Sequence, residues 1–367
     1  MSDLVSTFLK ERIIAGDFPS AVYCVGEGDE VVMSGALGLS VKEPESIAAS
    51  LDTIYDLASL TKPLITGLLT AIFIERGTIS LDHKVSAHLG EFDTEGKRMI
   101  TIRDLVSHTS HLPAWVPLYL LTDDPTSVIS EIARQDLDYA HDAVIYGDPN
   151  FIVLGTLLER LSGNTLDQLA RNEIFAPLGL QNTFFNPAEA LSIRIAANER
   201  GNEYERQMCL EKGYSAARTY PFRKDIVWGE VHDGNAFFMG GVAGHAGLFS
   251  TAQDVLILAR QFLSGTSQLL QPETCVFFTE DLTPGANEAR SLAFQLASTP
   301  ESTAGPELSP ESFGHLGFTG TSLWIDPVTQ RSYILLTNRT HARELPFVNI
   351  NAVRRRFHEL AAKALAQ

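Results

Sequence analysis

Ser59 and Lys62 form the one Ser-x-x-Lys motif of this chain, and they lie at the predicted start of an apolar helix. A serine and a lysine three residues apart lie on the same face of a helix, so the lysine amine can reach the hydroxyl and take its proton. The backbone N–H groups at a helix N-terminus can also stabilise a developing oxyanion. The motif therefore contains what a serine nucleophile needs to work without a histidine base.

A motif this short also occurs by chance in a chain of 367 residues. The alternative interpretation is a serine that caps the helix and a lysine that lies on the surface. The choice depends on whether the chain offers the two further groups that serine acyl transfer needs. Those groups are a proton shuttle to the leaving group and a second oxyanion donor.

Tyr146 is the candidate for the proton shuttle. It lies in the loop Ile145-Tyr146-Gly147-Asp148-Pro149-Asn150, directly before an apolar helix. The glycine and the proline can hold this loop rigidly, with the hydroxyl directed into a cleft, and a neighbouring ammonium would stabilise the phenolate. The alternative is a tyrosine that packs in the core and has a hydrogen-bond partner for its hydroxyl.

The second oxyanion donor is predicted in the segment Gly314-His315-Leu316-Gly317-Phe318-Thr319-Gly320. Its glycines allow the backbone to approach a ligand closely. The N–H group of Phe318 is the candidate donor, and His315 could donate a hydrogen bond or tune the proton on Tyr146. The alternative is the bulged edge of a strand with a solvated histidine.

The remaining motifs predict neither a metal nor an organic cofactor. The glycine-rich run 240–247 does not have the dinucleotide-binding spacing, and His245 within it is interpreted as structural. The chain has ten histidines but no His-Glu-x-x-His motif and no cysteines at metal-binding spacing. It also lacks a Gly-x-Ser-x-Gly nucleophile elbow and a P-loop.

The composition excludes several classes of partner. The net charge of −17, from 28 basic and 45 acidic residues, disfavours nucleic acid and anionic membranes. Cys24, Cys209 and Cys275 are far apart in sequence, which fits a reducing compartment rather than a disulfide framework. The chain has no secretory signal and no run of about 18 apolar residues. We therefore expect a cytoplasmic protein, unless a secretion signal has been removed from it.

The predicted strands lie at the two ends of the chain and the predicted helices lie between them. A first helix is followed by a β-hairpin around the turn Gly28-Asp29. Strands at 317–325 and 332–337 precede a last helix at about 348–366. This order predicts an α+β fold, in which N-terminal and C-terminal segments build one antiparallel sheet that is flanked by helices.

The same order predicts two domains with the active site between them. Residues 1–65 and 240–367 would form the sheet domain, and residues 66–239 an inserted, mostly helical domain. Residues 283–312 are rich in glycine, proline and serine and are expected to form an exposed excursion. Ser250-Thr251-Ala252-Gln253 is interpreted as a capping box that opens an apolar helix.

The motifs Ser-x-x-Lys, Tyr-x-Asp and His-x-Gly occur in an order and spacing that resemble the serine β-lactamase and penicillin-binding-protein superfamily. The resemblance is to its class C side, which includes class C β-lactamases, D-Ala-D-Ala peptidases and family VIII carboxylesterases, and it covers nearly the whole chain. Residues 101–113 resemble the family's LLxHTSGLP segment, with His111 in place of its glycine. Pro177-Leu178-Gly179-Leu180 and Gly247-Leu248-Phe249-Ser250-Thr251 are also similar to family segments.

The resemblance implies a β-lactamase/transpeptidase-like fold and an acyl-enzyme mechanism that needs no cofactor. Ser59 would attack a carbonyl carbon while Lys62 and Tyr146 share the proton transfers. The N–H groups of Ser59 and Phe318 would form the oxyanion hole, and water would then hydrolyse the acyl-enzyme. The substrate would be a small ester, a β-lactam or a peptide.

Two positions depart from the class C pattern. Asp148 replaces the asparagine of Tyr-x-Asn and, when ionised, cannot donate a hydrogen bond to a substrate. His315-Leu316-Gly317 replaces Lys-Thr-Gly, whose lysine and threonine help bind the β-lactam carboxylate. Leucine cannot form side-chain hydrogen bonds, and histidine is mostly neutral at neutral pH. The loss of two such contacts would cost on the order of 2–5 kcal/mol of substrate binding.

These departures favour the hydrolysis of small carboxylic esters, which have no carboxylate to be held. The alternatives on the same scaffold are a β-lactamase and a D-Ala-D-Ala carboxypeptidase or D-aminopeptidase. A further alternative is a catalytically silent relative that binds a ligand or acts as a scaffold. The presence of Ser59, Lys62 and Tyr146 together argues against the silent relative.

Overall fold

A computed structural model describes residues 2–139 and 144–366 of the chain. The α-helices in these residues are α1 (Ser2–Ala15), α2 (Leu68–Glu75), α3 (Ile102–Val106), α4 (Val128–Arg134), α5 (Asp148–Ser162), α6 (Leu166–Ala170), α7 (Ala176–Leu178), α8 (Glu203–Glu211), α9 (Gly234–Phe238), α10 (Ala252–Ala259), α11 (Pro272–Cys275) and α12 (Asn351–Leu365). The strands are β1 (Ser20–Glu27), β2 (Glu30–Val41), β3 (Ile47–Ala48), β4 (Tyr55–Asp56), β5 (Phe184–Phe185), β6 (Leu248–Ser250), β7 (Gln295–Leu296), β8 (Phe313–Leu316), β9 (Ser322–Asp326) and β10 (Arg331–Thr337).

Strands from both ends of the chain form one antiparallel sheet, in the order β3-β2-β1-β10-β9-β8-β7. β1 and β2 make the predicted hairpin, in which Gly28 adopts a φ of +56°, a conformation that favours glycine. β1 pairs on its other side with β10. The first and last long strands of the chain are therefore neighbours at the centre of the sheet, in agreement with the predicted arrangement.

The predicted strand at 317–325 is wrong in its first half. β8 ends at Leu316 and β9 begins at Ser322, and residues 317–321 form a turn between these antiparallel neighbours. Gly320 has a φ of +109°, which a residue with a side chain rarely adopts. The glycine at position 320 is therefore required by this turn.

Successive residues of β1 point to opposite faces of the sheet and enter different parts of the core. Val22 and Cys24 pack into a large core that continues into the helical region. Ala21, Tyr23 and Val25 pack on the opposite face, against residues of α1 and α12. The sheet therefore has helices on both faces, and the inner core joins it to the helical region.

The regular elements in the region predicted to be helical are mostly helices. Between residues 66 and 239, β5 is the one strand in the part that the structure describes, and it joins β6 and β4 in a small sheet. The predicted domain boundaries stay a prediction. The helical stretch Ala58–Glu75 crosses the first of them, and it is the one helix in the described residues that is long and apolar enough to cross a membrane. Most of it is buried inside the protein, as a core helix is.

The expectation of an exposed excursion at 283–312 is wrong. This segment contains the edge strand β7, and Leu292, Ala293 and Phe294 are buried. The Phe294 ring packs edge to face with Phe278 and Phe313. A short apolar run within a polar segment is enough to anchor the segment in the core, because each buried aromatic side chain removes a large apolar area from water.

The predicted capping box at Ser250 does not form, and α10 is capped one residue later. Thr251 is the N-cap, and its hydroxyl accepts a hydrogen bond from the Asp254 N–H group at 3.2 Å. Ser250 is the last residue of β6, and its hydroxyl contacts that of Thr183 at 2.7 Å. The serine hydroxyl therefore ties two segments together and does not cap the helix.

Candidate active site

Ser59 lies in a short turn, Ala58–Leu60, that leads into the buried helix. Ala58 has a φ of +48°, a left-handed conformation that costs free energy in a residue other than glycine. The Asp56 carboxylate accepts a hydrogen bond from Ala58 N–H at 2.8 Å, and the Thr61 hydroxyl donates to the Ala58 carbonyl at 2.7 Å. The surrounding contacts thus hold the turn, and the Ser59 hydroxyl does not cap the helix.

Lys62 is fully buried and places its ammonium next to three oxygens. Nζ lies 2.9 Å from Ser59 Oγ, 2.7 Å from Asp148 Oδ1 and 3.3 Å from the His245 carbonyl oxygen. Burial lowers the pKa of Lys62, but the attraction of Asp148 and Tyr146 outweighs burial and raises this pKa above its ordinary value. Lys62 is therefore held as an ammonium that donates to Ser59 and forms an ion pair with Asp148.

Tyr146 lies beside this pair, in the loop that precedes α5. The following residue fixes the backbone, because Gly147 N–H donates to His108 Nδ1 at 3.2 Å. Lys62 Nζ and the Arg290 guanidinium lie 5.1 Å and 5.3 Å from the Tyr146 ring centroid, where cations interact favourably with an aromatic ring. The tyrosine is thus close enough to the ammonium to act in the proton transfers of a serine nucleophile.

Two histidines in different tautomers flank the Tyr146 ring. The ring centroids of His108 and His315 lie 4.6 Å and 5.7 Å from that of Tyr146. His108 Nδ1 accepts from Gly147 N–H, so its proton is on Nε2. His315 Nδ1 must donate to the Leu316 carbonyl at 2.9 Å, so its Nε2 is an acceptor.

Both histidines are neutral. Burial, followed by the positive charges of Lys62 and Arg290, lowers the pKa of His108 and of His315 well below the ordinary value. The neutral His315 agrees with the sequence-based argument that this position cannot replace a lysine as a carboxylate ligand. A role for His108 beside Tyr146 was not predicted, although the segment 101–113 that contains it carries part of the family resemblance.

The turn between β8 and β9 is tied to the backbone just before the nucleophile. The Thr319 hydroxyl donates to the Asp56 carbonyl at 2.8 Å, and the Thr321 hydroxyl donates to the Leu57 carbonyl at 3.0 Å. All of these groups are buried. The two segments that carry the predicted oxyanion donors are therefore held at a fixed separation.

The N–H groups of Ser59 and Phe318 are both available to a substrate. In the part of the chain that the structure describes, neither group donates to a protein acceptor, and both residues line the same cleft. Gly317 N–H is used internally, because it donates to the Thr321 carbonyl at 2.8 Å. A Cβ atom on Gly317 would lie 2.0 Å from Thr321 Oγ1 and 2.5 Å from the Leu57 carbonyl oxygen, so only glycine fits there.

Asp148, Asp233 and His245 form a cluster behind Lys62 whose ligand atoms lie within 4.8 Å of one another. His245 Nε2 lies 2.9 Å from Asp233 Oδ1. This spacing could suit a metal ion, but the Lys62 ammonium already contacts Asp148 at 2.7 Å and supplies a positive charge there. The expectation that the protein needs no metal and no cofactor stays a prediction.

The nucleophile faces a cleft of about 700 Å³. Part of its wall is aromatic, since the rings of Tyr204, Phe318 and Phe347 pack on one another with centroids 4.9–6.1 Å apart. Arg339 and Arg354 also line the cleft, and among the residues that the structure describes neither forms an ion pair with a carboxylate. The cleft therefore combines apolar surface with uncompensated positive charge.

The structure brings the predicted site residues together around this cleft: Ser59, Lys62, Tyr146, Asp148, His315, Gly317 and Phe318. Their catalytic roles stay predictions. The arginines of the cleft were not predicted, because isolated arginines far apart in sequence form no motif. Arg290 comes from the segment 283–312, which thus contributes to the cleft wall.

Comparisons with known proteins identify related sequences along almost the whole chain. The family model described as Beta-lactamase matches residues 3–354. An Escherichia coli K12 protein named "Putative D-alanyl-D-alanine carboxypeptidase" is 31% identical over 364 residues, which cover 91% of this chain and 81% of that protein. A Bacillus subtilis 168 protein named "N-acetylmuramyl-L-alanine amidase" is 31% identical over 359 residues, which cover 90% of this chain and 79% of that protein.

Solved structures with the same fold include a hydrolase and a class C β-lactamase. "EstCE1, a hydrolase with promiscuous acyltransferase activity" is 20% identical with a TM-score of 0.74, over 97% of this chain and 98% of its own. The class C β-lactamase from Rhodobacter sphaeroides is 18% identical with a TM-score of 0.73, over 99% of each chain. At such identities these likenesses show the fold alone, and they confirm the predicted fold class. Because the family model covers nearly all of the chain, this protein belongs to the β-lactamase family, within the serine hydrolase superfamily that also contains the penicillin-binding proteins.

Proposed function

We propose that the protein hydrolyses small carboxylic esters through an acyl-enzyme on Ser59. The observation that carries this proposal is the 2.9 Å contact between Lys62 Nζ and Ser59 Oγ, in a rigid turn that lines a substrate-sized cleft. The carbonyl oxygen of the substrate would accept hydrogen bonds from the free N–H groups of Ser59 and Phe318. Every group that this reaction uses belongs to the chain itself.

The proton transfers follow from the charge of Lys62. Because Lys62 is held as an ammonium, it cannot be the base that takes the Ser59 proton. The proposed step requires Tyr146 in its phenolate form, which accepts the proton while Ser59 Oγ bonds to the carbonyl carbon. The proton then passes to the departing alcohol as the ester C–O bond breaks. In the second half of the reaction water attacks the acyl carbon and gives a proton to Tyr146, which returns it to Ser59 Oγ as the acyl bond to Ser59 breaks and the acid is released.

Esters are favoured over β-lactams because the groups that would bind the polar parts of a β-lactam are absent or occupied. Asp148 is engaged with Lys62 at 2.7 Å and has no N–H group to offer an amide carbonyl. His315 is neutral and donates to the Leu316 carbonyl. An uncharged ester needs neither contact.

A second candidate is hydrolysis of an amide bond in a peptide that carries a carboxylate. Arg339 and Arg354 line the cleft without a carboxylate partner in the described residues, and their positive charges would attract a substrate carboxylate into the cleft. The Escherichia coli relative is named as a putative carboxypeptidase and the Bacillus subtilis relative as an amidase, and both names denote cleavage of an amide bond. These observations support the peptide candidate more than the β-lactam candidate.

A substrate panel separates the candidates. We expect kcat/KM for p-nitrophenyl acetate and butyrate to exceed that for a D-Ala-D-Ala peptide and for nitrocefin. Replacement Ser59→Ala should lower ester turnover by on the order of 10⁴-fold, whereas Ser46→Ala, at an exposed serine, should leave it unchanged.

Other outcomes of the panel reject specific parts of the proposal. A larger kcat/KM for the peptide or for nitrocefin would replace the ester assignment by that activity. Unchanged ester turnover in Ser59→Ala would reject the mechanism itself. No turnover of any substrate, together with no labelling by a fluorophosphonate, would identify a catalytically silent relative.

A further inference from the structure

We propose that Arg354 is a positioning residue of the oxyanion hole, which it builds by holding the peptide group between Gly317 and Phe318. The inference rests on the proposed function, because it assigns the Phe318 N–H group to the substrate's carbonyl oxygen. It concerns a residue on the last helix of the chain, far in sequence from the nucleophile. Arg354 acts here through the backbone and not by contact with the substrate.

The contacts of Arg354 are directed at the back of the turn between β8 and β9. Its side chain is buried, and Nη2 donates to the Gly317 carbonyl at 2.6 Å and to the Thr321 carbonyl at 2.9 Å. Nη1 donates to Asn351 Oδ1 at 2.9 Å, which orients the guanidinium. The Thr321 carbonyl also accepts Gly317 N–H at 2.8 Å, so one ring of hydrogen bonds contains both the arginine and the turn.

The geometry of the peptide group converts these contacts into an orientation of the oxyanion donor. The Gly317 carbonyl and the Phe318 N–H group belong to the same planar peptide, and in a trans peptide they point in opposite directions. Because Arg354 holds the carbonyl on the α12 side, the N–H group points away from α12. That N–H group has no protein acceptor in the described part of the chain, and Phe318 lines the cleft.

The charge of Arg354 should also strengthen the donor. A hydrogen bond from a cation is shorter and stronger than one between neutral groups, and it polarises the peptide so that the N–H group at its other end becomes a better donor. Arg354 has no carboxylate partner in the described residues, and burial lowers its pKa to about 9. A buried charge without a counter-ion costs stability, and in this account the cost serves the oxyanion hole.

Arg339 holds the next peptide group in the same way. Its Nε donates to the Phe318 carbonyl at 2.6 Å and its Nη1 to the Val348 carbonyl at 2.8 Å, and its guanidinium lies 4.6 Å from the centroid of the Phe318 ring. Both peptide groups that flank the Phe318 Cα atom are therefore fixed by arginines. Rotation of the Phe318 N–H group would require at least one of these bonds to break.

The test replaces Arg354 by methionine and measures acylation by an uncharged ester, p-nitrophenyl acetate. We expect the acylation rate constant to fall by about 10- to 100-fold, which is less than the loss from removing an oxyanion donor altogether, with KM changed by less than about threefold. Affinity for phenylboronic acid should fall by a similar factor, because its anionic adduct on Ser59 uses the same N–H groups. Arg355→Met, at the exposed neighbour on α12, is the matched control, and thermal melts report folding.

The outcomes distinguish positioning from direct substrate binding. If Arg354→Met lost activity only on substrates that carry a carboxylate, the arginine would be a substrate ligand and the inference would be overturned. A wild-type acylation rate for p-nitrophenyl acetate in the folded variant would overturn it as well. If Arg354→Met does not fold, Arg339→Met replaces it, with an expected loss of about tenfold and the same contradicting result. Ser59→Ala, run in parallel, reports failure of the proposed function separately, since retained ester turnover there rejects the nucleophile and not the positioning role.

Discussion

Asp148 is the residue at which this site differs most in its proton chemistry from the class C pattern that the sequence resembles. A carboxylate 2.7 Å from Lys62 Nζ keeps the lysine in its ammonium form. In the proposed mechanism the lysine stabilises charge on Ser59 and the tyrosine acts as the base. The same contact would keep Asp148 from binding a substrate, so this one position would affect both proton transfer and specificity.

Replacement Asp148→Asn tests this role through the pH profile of ester hydrolysis. Loss of the carboxylate charge should lower the pKa of Lys62, because the favourable interaction that raised it is gone. If the ammonium form is the active one, the alkaline limb of kcat/KM should move to lower pH by at least about one unit. Asp29→Asn makes the same charge change in an exposed turn and should leave the profile where it is. An alkaline limb that stays in place, or moves to higher pH, in Asp148→Asn would show that Lys62 is not required as a cation.

Residue types and spacing were enough to predict that Ser59, Lys62 and Tyr146 share one site, because a nucleophile and its proton partners must be particular side chains, and the structure places the three residues next to one another. They were not enough to find His108 or Arg354. A histidine beside a tyrosine ring and an arginine behind a turn become meaningful only when the fold brings them together. Their positions in the chain carry no periodicity that would have indicated this.

The helix α12 is the element that joins the sheet to the candidate oxyanion hole. Its buried His358 is satisfied in the neutral form: Nδ1 donates to the Thr303 carbonyl at 2.7 Å, and Nε2 accepts from the Ser322 hydroxyl at 3.1 Å. Burial, with a smaller contribution from the charge of Arg354, lowers the pKa of His358 to about 3. The docked helix therefore excludes a charged imidazole.

This burial predicts how stability depends on pH. The folded state resists protonation of His358 down to about pH 3, whereas the unfolded chain takes up the proton near pH 6.5. Stability from this residue is therefore fully present above about pH 6.5 and is lost as the pH falls towards 3. Replacement His358→Gln keeps one donor and one acceptor and should destabilise the protein at pH 7 by about 1–2 kcal/mol. Urea unfolding should show the stability advantage of the wild type falling by about 2 kcal/mol between pH 6.5 and 4.5, so that it disappears or changes sign.

The control for this prediction is His83→Gln, at an exposed histidine, which should show no comparable change with pH. A stability difference between wild type and His358→Gln that is the same at both pH values would contradict the assignment of a neutral, buried imidazole.

At the scale of the whole molecule, the order of elements was predictable and the local turns were not. Hydrophobic runs at both ends and helices between them determine which segments form the sheet, because burial of apolar surface dominates the choice. The turn at 317–321 was predicted as strand, since glycines in a run of apolar residues do not reveal whether a strand bends. The buried run within 283–312 was hidden by the polar residues around it.

The candidate active site is assembled from segments that lie far apart in the sequence. Ser59 is near the N-terminal end of the sequence, Tyr146 precedes a helix of the inserted region, and Phe318 and Arg354 come from the C-terminal part. The Thr319 and Thr321 hydroxyls hold the β8–β9 turn against the backbone before Ser59. The cleft is therefore a property of the assembled fold.

The central claim is that Ser59 becomes acylated during turnover. The most direct measurement mixes the protein with p-nitrophenyl acetate, quenches it in acid within the first turnovers, and locates any added acetyl group by peptide mass mapping. We predict one acetyl group on the peptide that contains Ser59, and none on that peptide in Ser59→Ala. An acetyl group on a different residue during wild-type turnover, or full ester turnover by Ser59→Ala, would contradict the account.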